Sequence, residues 1–145
     1  MRGILFAIAA VALASGCSGQ VERVAMQIGA TQFEVELATT PAARERGLMF
    51  QDALGPNEGM LFVFATDAVQ VFWMRNTSLP LSIAFIDARG VLVHRASLEP
   101  FSERPVSSLV PVRYALEVNR GALDRAAAVV GMRVTLPASV PAAGL

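Results

Sequence analysis

The segment Gly59-Met60-Leu61-Phe62-Val63-Phe64 is apolar at every position after the glycine. A strand turns alternate side chains to opposite faces, so this pattern predicts a strand that is covered on both faces. Val69–Met74 and Leu81–Ile86 carry a similar, mostly apolar pattern further along the chain. Three such strands predict a sheet that lies between two apolar layers.

The chain before this segment predicts a hairpin and a short helix. Val24–Ile28 and Phe33–Leu37 alternate in part, and Gly29-Ala30 lies between them, as in a β-hairpin. A short helix follows. Thr40 suits its N-cap, Pro41 suits its first position, and Gly47 suits its C-terminal end.

The chain after Ile86 continues with turn and strand signals. Asp87-Ala88-Arg89-Gly90 has Asp first and Gly last, as a type I turn favours. The remaining predicted elements are a strand over 91–96, a loop over 99–111, a strand over 113–118, a helix from Gly121 to about residue 128 and a strand over 131–136. We therefore predict an α+β, mostly β domain: a small mixed, mainly antiparallel sheet or barrel with two short helices.

Composition excludes several functional classes. The 145 residues contain 12 Arg, no Lys and 12 acidic residues, so the formal net charge is zero. This balance lacks the basic field of a nucleic-acid-binding protein. One Cys forms no internal disulfide, and one Cys with one His does not build a typical zinc site. We predict no metal and no cofactor. The apolar fraction of 54% argues against disorder.

The N-terminus predicts export. Met1-Arg2 supplies a positive start, and Ile4–Ala14 is an apolar run of 11 residues, too short to span a bilayer but typical of a secretory signal. Ala14-Ser15-Gly16-Cys17 resembles a bacterial lipobox, although that pattern prefers Leu, Val or Ile where Ala14 stands. The alternative is cleavage after Ala12-Leu13-Ala14, which would leave Cys17 as a free thiol.

Lipidation of Cys17 would divide the chain into four parts. These are a signal peptide over 1–16, a tether over 17–23, a single β-rich domain over 24–136 and a flexible tail over 137–145. The six residues Ser18–Arg23 reach about 20 Å when extended. The domain would therefore lie close to the periplasmic face of a membrane, and Ser18 after the Cys points weakly to the outer membrane.

Several segments in the mature chain carry a family resemblance. The segments are Arg44–Met49, Gly59–Phe64, Phe72–Thr77 with Pro80-Leu81, Ile83–Asp87, and Tyr114–Asn119 with Gly121. In this order and spacing they resemble the bacterial and archaeal family catalogued as domain of unknown function 192, over about Thr31 to Leu136. The resemblance implies a compact β-rich domain with short helices and implies no mechanism. Ser82 departs from the family, in which an acidic residue usually follows Pro-Leu.

The segment Trp73-Met74-Arg75-Asn76-Thr77 is the first candidate site. Strand geometry places Trp73 and Arg75 on one face, where a guanidinium suits a carboxylate or phosphate and the indole supplies a stacking wall. Arg46, at the end of the first predicted helix, is a further candidate for the same site. The alternative is structural: Arg75 pairs with a buried carboxylate and Asn76 satisfies backbone groups in a turn.

Glu117 and Asn119 are the second group of candidates. They alternate with Tyr114, Leu116 and Val118, so they occupy the opposite face of their strand. A carboxylate that faces a cleft would have a raised pKa and could act as an acid or base. A carboxylate paired with Arg75 or Arg113 would instead be structural, which is the reading we favour.

These observations predict a membrane-tethered periplasmic binding or accessory module. Its expected contacts are Arg46, Trp73, Arg75, Asn76, Glu117 and Asn119, and its expected partner is a small polar or anionic ligand or an envelope protein. The first alternative is an envelope enzyme that uses Glu117 as acid or base beside Arg75. The second is a structural lipoprotein without a site. Catalysis is the less favoured class, because no nucleophile motif is present.

Overall fold

A computed structural model describes residues 22–140 of the chain. The predicted signal peptide, the lipobox with Cys17 and residues 141–145 lie outside the described residues. Within them, eight strands and two helices follow one another: β1 Val24–Ile28, β2 Thr31–Ala38, α1 Pro41–Arg46, β3 Glu58–Ala68, β4 Val71–Phe72, β5 Leu81–Ile86, β6 Leu92–Leu98, β7 Val106–Ser107, β8 Val112–Asn119 and α2 Ala122–Arg125.

Six of these strands form one mixed sheet in the order β1-β2-β3-β8-β5-β6. The pair β2–β3 is parallel and the other pairs are antiparallel. A parallel pair needs a crossover connection, which α1 and the segment that follows it provide. Strands β4 and β7 form a separate two-stranded ribbon. The predicted fold class, mostly β with two short helices, is confirmed, and the sheet is not a closed barrel.

Both faces of the sheet are covered, as the apolar strands predict. Strand β8 shows the division: Tyr114, Leu116 and Val118 belong to one buried cluster, whereas Ala115 belongs to the other. Helix α2 adds Leu123 to the first cluster. The second cluster is covered by the chain that follows α1 and by the chain between β4 and β5. Because side chains alternate, Glu117 also lies on the second face.

Helix α1 has the predicted ends. The Thr40 Oγ1 accepts a hydrogen bond from the Ala43 N–H at 3.1 Å, and Pro41 occupies the first turn. Gly47 ends the helix at a positive φ of 49°, a conformation that glycine adopts readily. This short helix therefore depends on its caps for its position.

We expect Thr40→Ala to lower the free energy of unfolding by about 1 kcal/mol, because it removes this N-cap bond. Urea denaturation followed by circular dichroism measures the change. Thr39→Ala is the matched control and should change stability by less than about 0.5 kcal/mol, because no hydrogen bond to the Thr39 hydroxyl is seen among residues 22–140. Equal losses for both variants would contradict the assigned cap.

Two predicted strands are wrong in extent. Only Val71 and Phe72 of the strand predicted over 69–74 pair with a neighbour, because the chain leaves the ribbon and turns at Asn76, whose φ is +52°. The strand predicted over 131–136 consists of two isolated bridges, Gln27 to Thr135 and Val91 to Arg133. This segment contacts the two opposite edges of the sheet in turn, so neither edge pairs with it over a full strand.

The packed chain continues beyond Leu136. Val140 is 6% exposed and lies in the first cluster, and its N–H donates to the Pro137 carbonyl at 2.9 Å.

Candidate functional site

Glu117 is a carboxylic acid in the centre of the sheet. On β8 it lies between Met60 of β3 and Ile83 of β5, its paired residues on the two neighbouring strands. The residue is 4% exposed. Because strands flank this position on both sides, the side chain is less solvated than it would be on an edge strand. The register of the sheet thus places an acid between two apolar neighbours.

A cavity of about 320 Å³ lies over this acid. Its walls combine apolar side chains with polar ones, among them Arg44, Glu45 and Gln70. The rings of Phe62 and Phe72 meet edge to face with their centroids 5.0 Å apart. Phe64 contacts the same Phe72 ring at 6.4 Å. Exposed side chains, including Arg46 and Trp73, also line the cavity, so it reaches solvent. A cavity with aromatic and aliphatic walls and several placed polar groups is a common form of a small-molecule site.

The environment of Glu117 favours its neutral form. Burial raises the pKa of the Glu117 carboxyl from its ordinary 4.5 to about 8. Among residues 22–140 no hydrogen bond or ion pair to this carboxyl is seen. At pH 7 the group is therefore protonated, and its O–H is available to donate a hydrogen bond to a molecule in the cavity.

The two arginines of α1 differ in what holds them. Arg44 Nη1 donates to the carbonyls of Thr39 and Val63 at 2.8 and 3.0 Å, and its guanidinium lies 5.4 Å from the Phe64 ring centroid. Arg44 is thus fixed in the cavity wall by the fold. Arg46 has no such bond within the described part of the chain and is exposed. Arg46 is therefore the cation free to meet an anionic group at the opening.

Arg75 lies outside this cavity. Its Nε donates to Glu103 Oε1 at 3.0 Å, and its guanidinium lies over the Trp73 ring at 5.1 Å. Arg75, Asn76, Trp73 and Arg46 line a second, shallower cavity of about 400 Å³. Four of the predicted contacts are thus brought together, but Glu117 lines the neighbouring cavity. Of the predicted contacts, Arg46 and Trp73 line both cavities.

The ion pair favoured for Glu117 is wrong. Arg75 binds Glu103, and Arg113 binds Asp67 at 2.6 Å. Both arginine side chains remain partly exposed, whereas pairing with Glu117 would require burial of a second charge.

Asn119 and Asn76 have structural contacts. Asn119 Nδ2 donates to the carbonyls of Leu54 and Gly55, each at 2.9 Å, and so attaches the connection before β3 to the end of β8. Asn119 lines neither cavity. The Asn76 carbonyl accepts the Phe50 N–H at 2.9 Å in the predicted turn. Ser82 lies on the sheet face opposite the Glu117 cavity, so its departure from the family does not affect that cavity.

Sequence reasoning missed the aromatic walls of the cavity. Phe62 and Phe64 alternate with Met60 on β3, so they share the face of Glu117, and this periodicity was the available signal. Phe72 comes from β4 and Thr77 from the chain between β4 and β5, and no local pattern places them there. Within residues 22–140, no cluster of His, Cys, Asp and Glu suitable for a metal is present. The same residues contain no helix that is long and apolar enough to cross a membrane.

The alignment with known proteins covers the whole sheet and both cavities. The model of the family described as "Uncharacterized ACR", domain of unknown function 192, matches residues 23–136. The chain belongs to this family. No curated protein matches the chain. The predicted family resemblance is confirmed, and the members found supply no activity that could be compared with the Glu117 cavity.

Two crystal structures share this family fold. A Sinorhizobium meliloti protein described as a "putative transcription regulator" is 37% identical, with a TM-score of 0.75, over 82% of this chain and 95% of that one. A Novosphingobium aromaticivorans protein of unknown function is 32% identical, with a TM-score of 0.77, over 93% of this chain and 100% of that one. Both similarities extend over nearly the full length of the other protein.

Proposed function

We propose that the chain is an exported, lipid-tethered module that binds a small, largely apolar molecule in the Glu117 cavity. The observation that carries this proposal is a buried carboxyl that has no hydrogen bond or ion pair within residues 22–140 and lies in a cavity that reaches solvent. Burial of a carboxyl destabilises a fold even where its oxygens reach a cavity, so a purely structural role would favour an apolar residue at this position. The reading as a structural lipoprotein is therefore disfavoured.

The lining of the cavity defines the chemistry of the ligand. Aromatic and aliphatic walls favour an apolar body. The neutral Glu117 donates to an oxygen acceptor, such as the carbonyl of an ester or amide. Arg46 stands where an anionic group at the outer end of the ligand would meet it. We therefore infer that the predicted small polar or anionic ligand is an amphiphile with a hydrogen-bond acceptor inside its apolar part.

Two matched probes test the donor role of Glu117. Ethyl benzoate carries a carbonyl acceptor, and butylbenzene has a similar shape without one. We expect the wild-type chain to bind ethyl benzoate about two- to tenfold more tightly at pH 6, which is the range that one net hydrogen bond supports. Ligand-observed NMR titration measures both affinities.

The preference should depend on the protonated acid. Glu117→Met replaces the carboxyl by an apolar side chain of similar length, and the variant should bind both probes equally. Raising the pH above 8 should also remove the preference from the wild type, because a carboxylate cannot donate. A preference that is present in the Met variant, or that is independent of pH, would refute the donor role.

A second candidate function is catalysis by Glu117. The favouring observation is that burial raises its pKa to about 8, near the range in which an acid or base acts best. Arg75 is not part of this arrangement, because it binds Glu103 outside the cavity. Comparison of the wild type with Glu117→Gln distinguishes the two functions. If Glu117 is catalytic, the wild type converts the bound molecule and the variant does not. If the chain only binds, both proteins release the molecule unchanged.

The tether is proposed from residues 14–17. Acylation of Cys17 would attach the domain to the periplasmic face of a membrane through six residues. We expect mass spectrometry of the mature chain to show an acylated N-terminal Cys17, and Cys17→Ser to move the chain from the membrane to the soluble fraction. A mature chain that begins at Ser15 without lipid would exclude the tether.

Nucleic-acid binding, which the description of the Sinorhizobium relative raises, is not the function proposed. Twelve arginines are balanced by twelve acidic residues, and six arginines form ion pairs within residues 22–140. Such a surface offers little counterion release to a phosphate backbone.

A further inference from the structure

Exposed apolar side chains are concentrated on one part of the surface. Within residues 22–140, nine large hydrophobic side chains are exposed. Six of them come from the chain after α1, from the β4 region and from the chain before β8: Phe50, Val69, Val71, Trp73, Leu109 and Val110. We call these six residues the apolar face.

The contacts between these segments make the face continuous. Val71 and Trp73 line the same cavity and therefore lie beside each other, and Val69 precedes Val71 by two residues. The Ser108 N–H donates to the Gln70 carbonyl at 2.9 Å, which places Leu109 and Val110 beside this row. Phe50 and Trp73 line the same shallow cavity. An apolar area of this kind marks an interaction surface.

Two residues of the face have an uncommon backbone conformation. Phe50 and Leu109 have φ values of +62° and +67°, and they are 73% and 67% exposed. Positive φ is unfavourable for such bulky residues. Backbone N–H bonds to the Asn76 carbonyl and to Ser107 Oγ hold the two residues in place. The fold thus keeps large apolar side chains in water at an energetic cost, which indicates that they have a use there.

We propose that the apolar face lies in the headgroup region of the bilayer to which Cys17 attaches the chain. This inference rests on the proposed tether, because six residues that reach about 20 Å keep a domain of this size against the membrane. Trp and Phe favour the membrane interface, and the neighbouring, exposed Arg46 can meet anionic headgroups. A second copy of the chain or another protein would compete for the same face.

Docking of the apolar face on the bilayer would determine whether the Glu117 cavity opens towards lipid or towards water. Val71 and Trp73 belong to the apolar face and also line the Glu117 cavity. With the face on the bilayer, the cavity opens towards lipid, and an amphiphilic ligand enters it from the membrane rather than from the aqueous phase.

Trp73 is the single tryptophan of the chain, so its fluorescence reports on the face directly. The full chain is purified in the form that cells produce. It is then mixed with an excess of vesicles made of phosphatidylethanolamine and phosphatidylglycerol. Half of the samples contain lipids brominated near the carbonyl end of the acyl chains. We expect a blue shift of the Trp73 emission and at least twofold quenching by the brominated lipids.

Matched variants locate the contact. Val71→Ser with Leu109→Ser should reduce the quenching at least twofold. Val129→Ser with Val130→Ser removes two equally exposed apolar side chains elsewhere on the surface and should leave it unchanged. Unquenched Trp73 on a chain that floats with the vesicles would overturn the inference, as would equal effects of the two variant pairs.

The same samples separate this inference from the tether. Mass spectrometry reads the state of Cys17, and sedimentation reads self-association. An unmodified Cys17 with a quenched Trp73 would refute the tether and support the face. If the Trp73 emission shifts only when the chain dimerises, and brominated lipids do not quench it, the apolar face binds a second copy of the chain. That result would overturn the proposal.

Discussion

Glu117→Gln is expected to stabilise the chain at pH 8 and to remove a large part of the pH dependence of its stability. In the folded chain burial raises the pKa of Glu117 to about 8, whereas the unfolded chain has the ordinary value of 4.5. Between these values the folded state holds a proton that the unfolded state has lost. The free energy of unfolding therefore falls as the pH rises through this interval and levels off above pH 8.

The size of the effect follows from the same shift. Each unit of pKa corresponds to about 1.4 kcal/mol, so the loss between pH 4.5 and pH 8 has an upper limit of about 5 kcal/mol. Gln has no charge to bury at any pH, and the difference between wild type and variant isolates the contribution of Glu117. Urea unfolding at pH 5, 6.5 and 8 measures this difference.

Glu45→Gln is the control for this experiment. Glu45 lines the same cavity but is exposed, so the same substitution should leave the stability difference nearly independent of pH. A constant difference between wild type and Glu117→Gln from pH 5 to pH 8 would show that Glu117 is ionised and solvated in the folded chain.

Gly59→Ala is expected to be the most damaging small substitution near the site. A Cβ at Gly59 would lie 2.4 Å from the Glu117 carbonyl oxygen and 2.9 Å from Val118 Cγ1. The first contact is with backbone, so relief requires β3 and β8 to separate in the centre of the sheet. We expect a loss of about 3 kcal/mol or more, together with access of water to Glu117.

Gly55→Ala provides the comparison for this loss. The atoms nearest to a Cβ at Gly55 belong to the Glu58 side chain, which can move. Its loss should remain below about 1 kcal/mol, measured by the same denaturation. Similar losses for the two alanine variants would contradict the close approach of β3 and β8 at Glu117.

The fold could be predicted where local patterns decide it. Alternation in Val24–Ile28 and Thr31–Ala38 determines the first hairpin, and Thr40 with Gly47 determines the ends of α1. The segment 131–136 has a strand-like composition, but its neighbours are two separate sheet edges. Their spacing depends on the curvature of the whole sheet, which no local pattern contains.

The site could be predicted only in part, for a similar reason. Alternation along β8 correctly separates Glu117 from Tyr114, Leu116 and Val118. Whether Glu117 then meets a cation or a cavity depends on the loops that cover its face. The sequence shows that Arg75 follows an apolar strand, but the turn at Asn76 directs Arg75 to Glu103 and the surface instead.

Direct titration of Glu117 tests the central claim that the cavity holds a neutral carboxylic acid. The chemical shift of its ¹³Cδ, assigned by comparison with Glu117→Gln, is followed by NMR from pH 4 to pH 10. We expect a midpoint at about pH 8. A midpoint near 4.5 would contradict it, because Glu117 would then be a charged, solvated carboxylate throughout the physiological range.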